Sequence, residues 1–389
     1  MRYLFITLLA LGLISGCSQI MELKDDVSDK VFGSDREEDN PTPLKDLKQA
    51  SDAKVLWSAN VGESELYEFS PAIDGKYIYT ASETGGLTKL DAATGKQEWQ
   101  VSAGESLSGG AGAGEGLVLV GTKGAVLAFD QATGKPLWKS RLAGEVLSAP
   151  RVDGGVVVVR SGDSRIYGIN AVDGKRKWVY ERATPTLSLR SSAGVTIADG
   201  AALAGFSGGK LVAVRVADGK IIWEATVAQP KGATEIERIA DITSLPVVDG
   251  RFVYAAAFQG RVVGIERASG QVLWNRDISS FYGLTVDGSV LYLTQSNGAT
   301  YALDYSTGKT YWRQGGLQYR KTTAPVSLGR TALFGDFEGW VHLLSRDDGD
   351  FVGRVKTDGS AVMPQPVVLN DTTALFQTRA GGLYAISIK

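Results

Sequence analysis

One cysteine and one histidine are all that 389 residues contain. Cys17 has no partner thiol, so the chain forms no intramolecular disulfide and no cysteine metal site. A lone His342 excludes histidine-rich metal centres and makes an acid–base dyad hard to build. It follows Gly339, Trp340 and Val341 in an apolar stretch and reads as a core or solvated imidazole. No Gly-x-Ser-x-Gly, phosphate loop or dinucleotide fingerprint is present. The glycine-rich run Ser108–Gly116 lacks the strand–turn–helix setting those motifs need. It reads as an inner strand crowded against its neighbours. Acids are plentiful but stand in turns, where Asp bonds its own backbone. The formal net charge is −2. With no basic stripe, nucleic acid is excluded as a partner.

What is present is a repeat. Ala128-Phe-Asp-Gln-Ala-Thr-Gly-Lys-Pro-Leu-Trp138 returns almost unchanged at Ala302–Trp312. Looser copies end at Trp99, Trp178, Trp223 and Trp274. Each Gly stands four residues before its Trp: Gly95, Gly134, Gly174, Gly219, Gly270 and Gly308. A seventh copy ends its turn at Gly349 and has Gly353 in the Trp position. The Gly-to-Gly spacings are 39, 40, 45, 51, 38 and 41 residues. A period near forty marks a repeat architecture. The apolar residues before each turn predict a strand, and Asp-x-x-Thr-Gly predicts a hairpin whose Gly supplies a positive φ. The Trp is then expected flat against the neighbouring unit, its N–H on a backbone acceptor.

A second mark gives the count. Tight turns recur at residues 74–75, 115–116, 153–154, 199–200, 249–250, 287–288, 328–329 and 370–371. Pro71, Pro150, Pro246, Pro325 and Pro366 stand just ahead of five of them. Proline marks a strand whose N–H stays unpaired, so this strand is an edge, innermost beside a central channel. The expected fold is all-β: an eight-bladed β-propeller with four-stranded antiparallel blades. The last blade lacks its Trp strand, and Lys54-Val-Leu-Trp57 supplies it from the other end of the chain. Closure of this kind removes the open edges of a long sheet.

Ahead of the propeller come two further segments. Residues 1–16 carry Arg2 and an apolar run from Tyr3 to Ile14. That is short of the ~20 residues of a membrane span and fits a signal peptide. Ile14-Ser15-Gly16 before Cys17 resembles a bacterial lipobox, which implies cleavage before Cys17 and its acylation. Ser18 in place of Asp implies, by resemblance to lipoprotein sorting rules, the outer membrane of a Gram-negative cell. Residues 17–50 read as the lipidated Cys and a tether. Residues 22–39 hold eight acids and three bases, too polar to bury a core. A short helix is expected near Leu44–Lys48. The propeller is expected over residues 51–389.

The candidate binding surface comes from loop length. Most inter-blade connections are short. Residues 181–195 and 228–245 are the two long ones, in the same topological slot of consecutive blades. They are therefore expected to meet on one face, where binding loops on a rigid scaffold gather.

The Ala-x-Asp-x-x-Thr-Gly-Lys-x-x-Trp repeat is similar to that of the pyrroloquinoline-quinone dehydrogenases, in which it is a structural girdle. Their vicinal Cys pair and calcium ligands have no match here, so the likeness carries the fold and not the cofactor. The whole chain resembles more closely the lipoprotein family of the outer-membrane β-barrel assembly machinery. The likeness covers lipobox, acidic tether and all eight blades. It is sharpest at Leu187-Ser188-Leu189-Arg190 and at Thr234–Asp241. It implies a non-enzymatic scaffold, without cofactor or metal, docking on the periplasmic domains of BamA. Leu187, Leu189, Arg190 and Asp241 match the family's contact positions. Where that family can carry a second acid, this chain has Thr243. Unfolded barrel precursors are a further partner to test. Two other readings stand beside it: a quinone-dependent dehydrogenase, and a polysaccharide or peptidoglycan binder using Tyr282 and Tyr319.

Overall fold

Each repeat folds as two buried strands between a short inner strand and a half-exposed outer one. In the first blade these are Ala72–Asp74, Tyr77–Ala81, Gly86–Asp91 and Gln97–Ser102. The computed structural model describes residues 40–47, 51–65, 67–183 and 185–388. The expected signal segment 1–16, the lipidation site Cys17 and the acidic stretch 22–39 lie outside the described residues. A compact body begins at Pro43.

Eight four-stranded antiparallel sheets make the body, as the turn count predicts. The middle strands read as unbroken apolar runs because neighbouring sheets cover both their faces. Val156 to Val159 of the third blade are all buried. The core is a chain of clusters, each shared by two blades: Leu119, Val126 and Ala128 pack on Val157, Val159 and Tyr167. Outer strands show the opposite pattern, with exposed and half-buried residues in alternation over Gln97–Ser102.

The recurring turn staples one blade to the next. In the second blade the Asp130 carboxylate accepts from the Thr133 amide at 2.8 Å and from its hydroxyl at 2.6 Å. Gly134 N–H donates to the Asp130 carbonyl, with φ +71°. A Cβ on Gly134 would also strike Trp99 of the preceding blade. The same Gly-on-Trp seat repeats at Gly174 on Trp138, Gly219 on Trp178, Gly270 on Trp223, Gly308 on Trp274 and Gly349 on Trp312. A register shift lies beside each Trp, and the cross-strand partner is small: Ala128, Gly168, Ala213, Gly264 and Ala302.

Five indole N–H groups donate to the carbonyl one residue past the turn Asp position. Trp138 reaches Ala171, Trp178 Val216, Trp223 Arg267, Trp274 Tyr305 and Trp312 Arg346, at 2.8–3.1 Å. The first blade departs from this. Trp99 faces Lys89 instead of a small residue, and Lys89 Nζ takes the Gln131 carbonyl that the pattern reserves for the indole. Trp99 N–H is left buried without a partner among the described residues.

The ring closes through both ends of the sequence. Lys54–Asn60 pairs antiparallel with Gly382–Ser387 as the fourth strand of the last blade, and Trp57 seats on Gly95 of the first. The missing Trp at Gly353 has a steric reason: the Ser51 side chain lies against Gly353, in the space a side chain there would need. Among the described residues there is no helix. The one expected near Leu44–Lys48 is absent over Leu44–Leu47. Leu44 packs instead against the cluster that holds Trp312 and Leu317. Inside the ring, Gly109–Gly114 is the second blade's inner strand. Gly112 lies against the Pro150 carbonyl with no room for a Cβ.

Candidate docking face

Every inter-blade loop follows an outer strand and leads to the next inner strand, so all of them leave the disc on one face. The loop after Arg176–Glu181 and the loop after Ile221–Thr226 are the long ones, and they interlock. Asp241 is the joint. Its carboxylate accepts from the Leu189 amide at 2.7 Å and from the Gly208 amide at 3.0 Å, while its carbonyl accepts from Phe258 N–H. Ser191 adds a bond from its hydroxyl to the Thr243 carbonyl at 3.0 Å. Asp241 is only 3% exposed. Both its oxygens serve the chain itself, and it shapes the surface from below.

The other three expected residues stand above that joint. Leu187 is 41% exposed. Leu189 is half-buried. Arg190 is exposed but already ordered: its Nη2 donates to both Glu145 oxygens at 3.1 Å, and its guanidinium lies 5.1 Å over the Tyr67 ring. Tyr67 O–H donates to the same carboxylate. The 228–245 loop presents Ile236, 63% exposed, on a stiff turn. Glu237 accepts from the Ala233 and Thr234 amides, and Thr234 Oγ1 accepts from Glu237 N–H. This reciprocal arrangement is a capping box. Oriented to donate, the Gln259 amide holds the carbonyls of Ile236, Glu237 and Ile239. Thr243, at the position of the second acid, is buried and donates to the Phe281 carbonyl.

Sequence reasoning missed Glu145, Tyr67 and Ile236, and also Arg160. The last is a buried cation within the valine run of the third blade; it donates to the Ala193 carbonyl at 2.7 Å and so supports the 182–194 loop. Burial pushes its pKa down to about 10 against the pull of Asp241. A charge inside an apolar strand was the available signal.

The remaining candidates fall away from any surface. His342 is sealed in the seventh blade, with Nε2 2.9 Å from Asp336 and Nδ1 accepting from Arg354 Nε. Burial lowers its pKa, overriding the bond to Asp336. Tyr282 and Tyr319, proposed as exposed sugar platforms, are half-buried. Among the described residues no three His, Cys, Asp or Glu side chains converge to hold a metal ion.

Comparison with known proteins decides the family. The model of the family described as outer membrane protein assembly factor BamB matches residues 45–109 and 90–314. The chain belongs to the BamB family. It is 42% identical over 381 residues to the outer membrane protein assembly factor BamB of Nitrosomonas eutropha, covering 97% of this chain and 93% of that protein. The Escherichia coli BamB is 33% identical, with 98% and 97% covered. Among solved structures, BamB from Moraxella catarrhalis superposes with a TM-score of 0.79 at 24% identity, over 86% of this chain and 99% of that one. The quinohemoprotein alcohol dehydrogenase of Comamonas testosteroni gives 0.69 at 13% identity, over 89% and 78%. These structural likenesses establish the propeller fold.

Proposed function

We propose that the chain is a non-enzymatic scaffold of outer-membrane β-barrel assembly that docks on BamA through the 182–194 and 227–246 loops. One observation carries the reading: the two longest loops are locked together at Asp241 and hold an exposed Leu187 and an ordered Arg190 on one face. The name shared by its relatives supports the assembly role. A rigid disc would act by orientation, holding the partner's periplasmic domains in register. The burial of the one imidazole supports the non-enzymatic reading. The reading puts the protein at the periplasmic face of the outer membrane, with an acylated Cys17 as its anchor, which the lipobox-like Ile14–Cys17 stretch supports.

The test is co-purification of BamA from solubilised membranes. Truncating a central interface residue commonly costs about 2 kcal/mol or more, on the order of thirtyfold in affinity. Leu187→Ala with Leu189→Ala, or Arg190→Ala alone, should lower BamA recovery at least tenfold with the melting temperature unchanged. Thr307→Ala, in a turn on the opposite face, should bind normally. Full recovery by the loop variants would move the docking surface elsewhere on the disc. The anchor is tested separately: Cys17→Ser should leave the outer-membrane fraction, and its retention there would refute acylation as the anchor.

A further inference from the structure

The mouth of the central channel carries two opposite charges that have no counter-charge among the described residues. A cavity of about 170 Å³ opens there, lined by residues in or leading into the inner strands of all eight blades. That is more than ten times the ~15 Å³ one water requires. On one wall stands Glu68. Its carboxylate accepts from the Ser192 hydroxyl, and among the described residues no cation pairs with it. Burial holds its carboxyl above the usual range. On another wall stands Arg151, the first residue of the third blade's inner strand. The residue as a whole is exposed, yet burial of its guanidinium pulls its pKa down. Among the described residues no carboxylate answers it. Ser244 also lines the cavity, with its hydroxyl buried and without a partner among the described residues. Tyr282 completes the wall. Burial, together with the nearby Glu68 charge, keeps its phenol protonated and able to donate.

An unmatched charge in a protein-lined site is unfavourable until a counter-charge desolvates with it. A lone cation would satisfy Glu68 and meet the repulsion of Arg151. A lone anion would do the reverse. A ligand bearing both signs offsets both. We propose that the axial cavity binds a small zwitterion of the α-amino-acid type, its ammonium on Glu68 and its carboxylate on Arg151, with Ser244 as a third contact. Arg190 also lines the cavity, with its charge already answered by Glu145, so the site adjoins the proposed docking face without needing BamA to occupy it.

Calorimetric titration of the full chain with glycine tests this, with methylamine and acetate as single-charge probes. Glycine should bind and raise the melting temperature, and each single-charge probe should bind at least tenfold more weakly. Glu68→Gln and Arg151→Gln should each weaken glycine binding at least tenfold. Ser244→Ala removes a hydroxyl without touching either charge and should weaken it two- to fivefold, so a folding failure of the charge variants leaves a working test. No heat with glycine at millimolar concentration, methylamine binding as tightly as glycine, or glycine binding unchanged in folded variants would each overturn the proposal.

Discussion

His342 shows at the residue scale how burial turns a titratable group into a stability term. Its pKa in the fold is lowered by desolvation. The unfolded chain therefore takes up the proton first as pH falls below about 6.5, and stability drops from there until the folded state protonates too. Asp336 acts in the same direction at lower pH. Burial alone would raise it, but bonds from His342, the Trp340 amide and Arg320 hold it below the usual carboxyl range. Its contribution is lost as pH falls through that depressed value. The expected outcome is a melting temperature that declines as pH falls below about 6.5. His342→Gln keeps a donor and an acceptor but does not titrate, so its decline in that window should be shallower. Equal slopes would show that His342 is not the group responsible. The sequence left His342 open between core and solvent and gave no sign of its partners: Asp336 and Arg354 reach it through strand pairing and packing, which no local pattern announces. The same holds for Glu145 with Arg190, forty-five positions apart, and for Asp241, whose internal bonds to Leu189 and Gly208 span dozens of residues.

The element that explains most is the Asp-x-x-Thr-Gly turn with the preceding blade's Trp against it. It was readable because both of its requirements are local: a positive φ and four residues to the Trp. What stayed hidden was that the Gly also has to leave room for a ring. Gly219 and Gly154 separate the two requirements. Both have positive φ, +72° and +57°. A Cβ on Gly219 would lie 2.6 Å from the Trp178 ring, whereas one on Gly154 meets nothing within 4 Å. Left-handed backbone costs an L-residue roughly 1–2 kcal/mol, and overpacking adds typically 1–3 kcal/mol. Gly219→Ala should therefore destabilise by about 2–5 kcal/mol and Gly154→Ala by only the first part, as read from denaturant midpoints. Equal losses would reduce the Gly–Trp seat to a turn effect. Lys89 shows that the seat tolerates variation: it takes the carbonyl that an indole would use, and the blade still forms.

For the whole molecule the decisive feature is the seam. Eight similar inter-blade contacts act as nearest neighbours, and the last of them depends on Lys54–Asn60 joining Gly382–Ser387. Deleting residues 51–60 should open the ring and lower the melting temperature on the order of 10 °C, since each kcal/mol moves a large domain by only ~2–4 °C. A truncation that melts like the full chain would show that closure contributes little. The count of blades and the closing strand were legible because repeats advertise themselves. The axial charges were not, because they converge from separate blades. The seam also sets a clock. Of the described strands Lys54–Asn60 leaves the ribosome first and Gly382–Ser387 last. At ~5–20 residues per second the first waits on the order of tens of seconds for its partner. Through that interval Val55 and Leu56 ride on an unpaired edge. A nascent chain interrupted late in synthesis is thus never a slightly shorter disc; it is an open ribbon with a sticky strand at each end.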